Sequence, residues 1–250
     1  MKALRADERF SVCGLLLRSP GQAVPDDIPV YTEAEGLLQG THPDVWLDFT
    51  DARSVVANVD LAITYGVRPV VGATGYTEAH VEAWNRRLLD QESGGVAAPN
   101  FAIGALLMMR FAAEAAQFLN GAEIVELHHD GKRDAPSGTA RRTASIISQA
   151  AGNTGVLENA GDESSPALQS AAAGEVQPSR GLLQEDVRIH SVRLPGLVAH
   201  QEVIFGGQGE VLTIRHDSLS RISFMPGVLL ACSQVGSVKG MVYGLEHLLW

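Results

Sequence analysis

The sequence predicts an α/β chain: a Rossmann-like, doubly wound parallel sheet, then an α+β portion with a mostly antiparallel sheet. Three observations carry this. Short apolar runs alternate with helical patterns through roughly the first 100 residues, the rhythm of parallel βαβ units. From Asp186 the pattern becomes period-two alternation, as in half-buried antiparallel strands. At 250 residues and 45% hydrophobic content, the chain has material for both cores.

The elements follow in order. Residues 2–9 read as a helix tail, and 10–17 (FSVCGLLL) as a buried strand broken by Arg18-Ser19-Pro20-Gly21. Residues 45–49 (VWLDF) form a second strand, and 51–65 an amphipathic helix ending before Gly66. A third strand at 67–71 (VRPVV) runs into Gly72-Ala73-Thr74-Gly75, and a helix over 77–90 starts at Thr77 as N-cap. A short strand at 95–100 ends in Ala98-Pro99-Asn100-Phe101, before an apolar helix over 104–119. Residues 123–129 (EIVELHH) are strand-like, and Ser137 caps a helix. Residues 152–185 read as a long loop. Phe205-Gly206-Gly207-Gln208-Gly209 is a hairpin turn between alternating runs, and 224–248 is helical, returning to the first domain. The expected domains are 1–101 with 220–250, and 102–219.

Composition narrows function. Nineteen basic and 29 acidic residues give a net charge of −10, which argues against nucleic-acid binding. No apolar run reaches membrane-spanning length, and the first residues do not form a signal peptide. Cys13 and Cys232 sit in no metal or redox spacing, which suits a reducing cytoplasm.

The chemistry concentrates in Glu126-Leu127-His128-His129-Asp130-Gly131-Lys132-Arg133-Asp134-Ala135-Pro136-Ser137-Gly138-Thr139-Ala140. Two histidines close a strand, and either can hold or deliver a proton near neutral pH. Adjacent strand residues point to opposite faces, so one of the pair is surface or core filler in the plainer reading. Lys132 is a mobile cation and a candidate proton donor. The N–H groups of Gly138 and Thr139 open a helix at the positive end of its dipole, which suits a carboxylate or phosphate. Such a helix start also serves simple capping. His-His-Asp lacks the helix-spaced pairs of a zinc site, so no metal is expected. Together these residues describe a pocket for a small di-anion that needs a proton.

The segment 126–140 resembles the signature of the dihydrodipicolinate reductases, enzymes of the diaminopimelate route to lysine. Val45-Trp46-Leu47-Asp48-Phe49-Thr50 resembles the family's strand ending in DFT. Val71-Gly72-Ala73-Thr74-Gly75 resembles its G-T-T-G loop with Ala73 for threonine. Ala98-Pro99-Asn100-Phe101 resembles its A-x-N-F turn, and Ser218-Leu219-Ser220-Arg221 its late S-S-R segment. The likeness runs through nearly the whole chain.

The resemblance implies roles. His128 stands as the acid/base residue and Lys132 as the proton donor to the reduced ring. His129, Gly138 and Thr139 hold the small cyclic dicarboxylate substrate. Gly72, Ala73, Thr74 and the turn Ala98, Pro99, Asn100, Phe101 contact the nicotinamide end of NADPH or NADH. The cofactor gives hydride, and the protein gives orientation and a proton. The strand ending at Arg18 has no acid for the ribose 2′-OH, so NADPH is expected over NADH, with Arg18 on the 2′-phosphate. The family further implies a homotetramer built through the second sheet.

One departure stands at the front. The family's first strand and its G-x-x-G-R-M-G-type turn are not in the sequence, so roughly 20–25 residues are expected upstream of Met1. The 250-residue chain as given is accordingly expected to bind NADPH weakly or not at all. The competing readings are a degenerate, non-catalytic paralogue that binds a small dicarboxylate, and another Rossmann-domain amino-acid dehydrogenase. A semialdehyde dehydrogenase is disfavoured because neither cysteine opens a helix beside a histidine.

Overall fold

The structure, a computed structural model, describes residues 1–18, 24–119, 121–152, 176–177 and 180–250. Along the chain run α1 (Lys2–Arg5), β1 (Leu15–Leu16), β2 (Val30–Tyr31), α2 (Ala34–Thr41), β3 (Val45–Asp48), α3 (Val55–Thr64), β4 (Arg68–Val71), α4 (Glu78–Asp90) and β5 (Gly94–Ala97). There follow α5 (Ile103–Ala115), β6 (Gly121–His128), α6 (Gly138–Gly152), β7 (Val176–Gln177), β8 (Gly181–Gln184), β9 (Val187–Arg193), β10 (Ala199–Gly207) and β11 (Glu210–Ser218). Helix α7 (Met225–Gln234), strand β12 (Gly240–Tyr243) and a 3-10 turn at Leu245–Leu248 close the chain. Contacts divide it into two compact units, Met1–Phe101 with Phe224–Trp250, and Ala102–Ser223.

The first unit holds a parallel sheet in the order β12-β5-β4-β3, and a separate parallel pair β1-β2. The continuous apolar character of β4 and β5 follows from burial on both faces: Val70, Val71, Val96 and Ala97 are fully buried. Helices α3 and α4 supply Val55, Val59, Ile63, Trp84 and Leu88 to one core, at helical spacing. Burying a side chain of this size stabilises by about 1.5–3 kcal/mol. Thr77 begins α4 as expected. Its side chain accepts from the His80 N–H, and the His80 ring returns a bond to the Thr77 N–H, a capping box closed by histidine.

The second unit is a six-stranded sheet ordered β11-β10-β6-β9-β8-β7. Only β6 and β9 run parallel; the other neighbours are antiparallel. The expected hairpin is present. Gly207 pairs with Glu210, which leaves Gln208 and Gly209 as its loop, with Gly209 at φ +80°. Ile124, Val203 and Phe205 are fully buried on one face, against which α5 and α6 pack.

Four expectations need correction. The helix at the front stops at Arg5 instead of 9. The strand expected over 10–17 is a ladder at Leu15–Leu16 alone, because its partner β2 is two residues long. The loop expected over 152–185 contains strand β8, whose Leu182 and Leu183 pair with β9. Of that stretch 153–175 and 178–179 lie outside the described residues, as do Ser19, Pro20 and Gly21.

The helix expected over 224–248 is α7 followed by strand β12. Gly240 forces the change. It sits at φ +70°, donates to the Ser93 carbonyl, and a Cβ there would lie 2.2 Å from Asn85 Oδ1. Asn85 uses that same oxygen to accept from the Met241 N–H at 2.8 Å.

Candidate active site

In the first unit the loops after β3, β4 and β5 gather at the carboxyl edge of the parallel sheet, where ligands of open α/β sheets bind. Asp48 organises them. It is 1% exposed, and its carboxylate accepts from Trp46 Nε1, Asn58 Nδ2, the Thr50 N–H and Thr50 Oγ1 at 2.6–3.0 Å. Its carbonyl accepts from the N–H groups of Gly72 and Ala73, and the Ala98 N–H donates to Val71.

Gly72 lies beneath the Phe49 ring, 2.3 Å from where its Cβ would be, and Phe49 packs on Phe101 at 5.5 Å between centroids. Gly75 is at φ +112°. Ala73, Ala98 and Phe101 are buried, so a ligand here would meet their backbone; Thr74 and Pro99 are exposed, and Asn100 is half-buried. The fixed backbone and small side chains fit the flat end of a dinucleotide. Arg18 follows β1, is 78% exposed, and lies 3.8 Å from the Asp51 carboxylate.

The second unit carries the remaining candidates. Strand β6 places Ile124, Glu126 and His128 on one face by the period of two. Glu126 is fully buried. Its Oε2 accepts from Arg193 at 2.9 Å and bonds His128 Nδ1. Its Oε1 accepts from Arg193 at 2.7 Å and from the Ser137 N–H at 3.2 Å. Arg193 reaches it because β6 and β9 are parallel and His128 pairs with Arg193. Burial pushes the Glu126 carboxyl up, but hydrogen bonds from His128, Arg193 and Ser191 outweigh it, and the group is held at about 2.

Around this carboxylate the sequence candidates assemble. The His128 side chain is 14% exposed. His129, one residue on, is exposed. Lys132 follows a turn closed by its N–H on the His129 carbonyl, and its ammonium lies 2.7 and 2.8 Å from the two Asp134 oxygens. The hydrogen bond from Lys132 holds the Asp134 carboxyl below its ordinary range. Arg193 also donates to the Asp134 carbonyl at 2.7 Å.

Ser137 caps α6 by accepting from the Ala140 N–H at 3.2 Å. Among the described residues, the N–H groups of Gly138 and Thr139 have no partner, and beside Gly138 the space is open. Sequence reasoning missed Glu126 and Arg193 as functional residues. An acid on the core face of a strand was the available signal, since a buried carboxylate demands a counter-ion.

A histidine on a buried carboxylate beside an open helix start, on a chain that also has a parallel α/β sheet, is an arrangement that suits the nicotinamide-dependent reductases as a class. The model of the dihydrodipicolinate reductase N-terminus matches residues 1–101, and that of the C-terminus residues 104–249. The 4-hydroxy-tetrahydrodipicolinate reductase of Streptococcus thermophilus is 45% identical over 249 residues, covering 100% of this chain and 93% of the relative. That of Streptococcus suis is 46% identical with the same coverage. The solved structure of a dipicolinate-bound dihydrodipicolinate reductase from Paenisporosarcina sp. TG-14 superimposes with a TM-score of 0.79. It is 37% identical and covers 98% of this chain and 92% of that one.

The chain belongs to the dihydrodipicolinate reductase family, NAD(P)H-dependent oxidoreductases of lysine and diaminopimelate biosynthesis. These matches favour the catalytic reading over a non-catalytic paralogue or another amino-acid dehydrogenase.

Proposed function

We propose that residues 126–140 are the reacting end of this reductase. The carrying observation is that one buried carboxylate, Glu126, ties His128 to a helix start with two N–H groups that have no partner among the described residues. A flat cyclic dicarboxylate, such as the dipicolinate in the Paenisporosarcina relative's structure, suits this arrangement. The N–H groups of Gly138 and Thr139 hold one carboxylate at the positive end of α6, and His129 contacts the ligand from its exposed position. Lys132 delivers a proton to the ring, and His128 acts as acid/base. The nicotinamide cofactor, when bound, supplies the hydride. Gly72, Ala73, Thr74, Ala98, Pro99, Asn100 and Phe101 hold its nicotinamide end, with the Gly72 and Ala73 backbone already fixed by Asp48.

NADPH is the preferred cofactor in this reading, with Arg18 on the 2′-phosphate. The enzyme works as a homotetramer through the second sheet, supported by the nine-residue strand β11 at its edge, with Val211 71% and Leu212 41% exposed. A cytoplasmic setting agrees with two unpaired cysteines.

The test is reduction of the condensation product of pyruvate and aspartate semialdehyde by the chain with any in-frame upstream residues included, with NADPH and NADH compared by kcat/KM. Turnover with NADPH favoured, and the preference lost in Arg18→Ala, supports the reading. Oxidation of an amino acid in place of this reduction overturns it. NADH used equally well, unchanged by Arg18→Ala, overturns the role of Arg18.

A further inference from the structure

We propose that Glu126, clamped by Arg193, is a positioning residue that holds His128 as the Nδ1–H tautomer. This rests on the acid/base reading of His128 above. The geometry leaves the ring little choice. The other groups that reach the Glu126 oxygens all donate: Arg193 Nη1 and Nη2 and the Ser137 N–H have no lone pair to offer, and the Ser191 hydroxyl can only donate to an ionised carboxylate. The carboxylate is fully buried, so solvent does not share the task. An ionised carboxylate only accepts, and the His128 nitrogen that meets it must donate. In the neutral ring the proton therefore sits on Nδ1 and the lone pair on Nε2. Nε2 has no partner among the described residues. A ring held this way accepts a proton at Nε2 and returns it from the same atom.

The clamp reaches further than the ring. Arg193 donates to the Asp134 carbonyl, and the Asp134 carboxylate holds Lys132. The Ser137 N–H joins the start of α6 to the same carboxylate. One buried anion thus sets the histidine, steadies the turn that carries the proposed proton donor, and fixes the helix start. Arg193 balances its charge, so the pair orients the ring without leaving a lone charge in the core.

The experiment reads the tautomer directly. Long-range 15N–1H correlation NMR of the full chain distinguishes protonated from unprotonated ring nitrogens, with His128 assigned by its loss in His128→Gln. The wild type is expected to show Nδ1 protonated and Nε2 unprotonated in the neutral ring. In Glu126→Gln a single amide oxygen faces Arg193 and Ser137, and the NH2 turns toward His128. The ring is then expected to switch to Nε2–H, and kcat to fall about 10²–10⁴-fold with a smaller change in dipicolinate affinity.

Glu126→Asp keeps an all-acceptor group. It is expected to retain the Nδ1–H signature and recover part of the rate. Arg193→Lys keeps both charges and should also retain the signature, so it serves if Glu126→Gln does not fold. A wild-type ring protonated at Nε2, an unchanged tautomer in Glu126→Gln, or an unchanged kcat in that variant overturns the proposal. Full activity in His128→Gln instead overturns the acid/base role of the ring, and the tautomer readout remains a separate test of the clamp.

Discussion

Replacing Gly138 by proline should remove one N–H from the start of α6 and leave the helix standing. Gly138 is the first residue of α6, directly after the capping Ser137. Proline is well suited to this position, since its fixed φ is helical and the helix makes no use of that N–H. Gly138 is not among the positive-φ glycines, and an added Cβ meets no heavy atom within 4 Å. Stability should therefore stay within about 0.5 kcal/mol. A hydrogen bond to a charged group contributes about 1.5–3 kcal/mol. At about 1.4 kcal/mol per decade, the Kd for dipicolinate should rise roughly 10- to 100-fold. Calorimetric titration measures the affinity and thermal unfolding the stability. Gly138→Ala keeps the N–H and should bind within about threefold of wild type. An unchanged Kd in Gly138→Pro, with Tm unchanged, would refute the assignment of this N–H to the ligand.

Other outcomes follow from the same geometry. Asp48→Asn confronts four donors with one acceptor. Thr50 Oγ1 can turn, but the Thr50 N–H is stranded, so Tm should drop by the equivalent of about 1–3 kcal/mol and the KM for cofactor should rise as Gly72 and Ala73 loosen. Gly75→Ala places a Cβ 2.3 Å from the Ala52 Cβ at φ +112°, and thermal unfolding should show a loss of at least about 1 kcal/mol. Acid should weaken the second unit through Glu126. Its folded pKa of about 2 lies below the ordinary 4.5, so the stabilisation is full above 4.5 and is lost as pH falls toward 2. The size is on the order of 3 kcal/mol, read as Tm against pH, and Glu126→Gln should flatten that limb.

The parallel first sheet and the mostly antiparallel second sheet were legible because their signals are local. VWLD, RPVV and the alternating runs after Asp186 each announce a strand within a few residues. Strand β12 was hidden for the same reason. It is four residues long, and what makes it a strand is Gly240 packed against Asn85, which lies 156 residues away from Met241 in sequence.

The first strand was read too long because an apolar run fixes burial but not pairing length, and β2 offers two residues. His128, Lys132, Gly138 and Thr139 stood out through their spacing within a single segment. Glu126 sat in that same segment, yet its importance depends on Arg193, 67 residues on, brought alongside by the parallel pairing of β6 and β9. A strand pattern shows that a carboxylate faces inward; only the register shows what neutralises it.

Lys132 as the source of the proton is tested most directly by kcat in Lys132→Ala and Lys132→Arg, beside dipicolinate affinity measured on the same proteins. Arginine keeps the charge but does not release a proton at working pH. Both variants are expected to lose about 10²–10⁴-fold in kcat, with a smaller change in affinity. A Lys132→Arg enzyme with wild-type kcat would contradict this reading, since charge alone would then suffice.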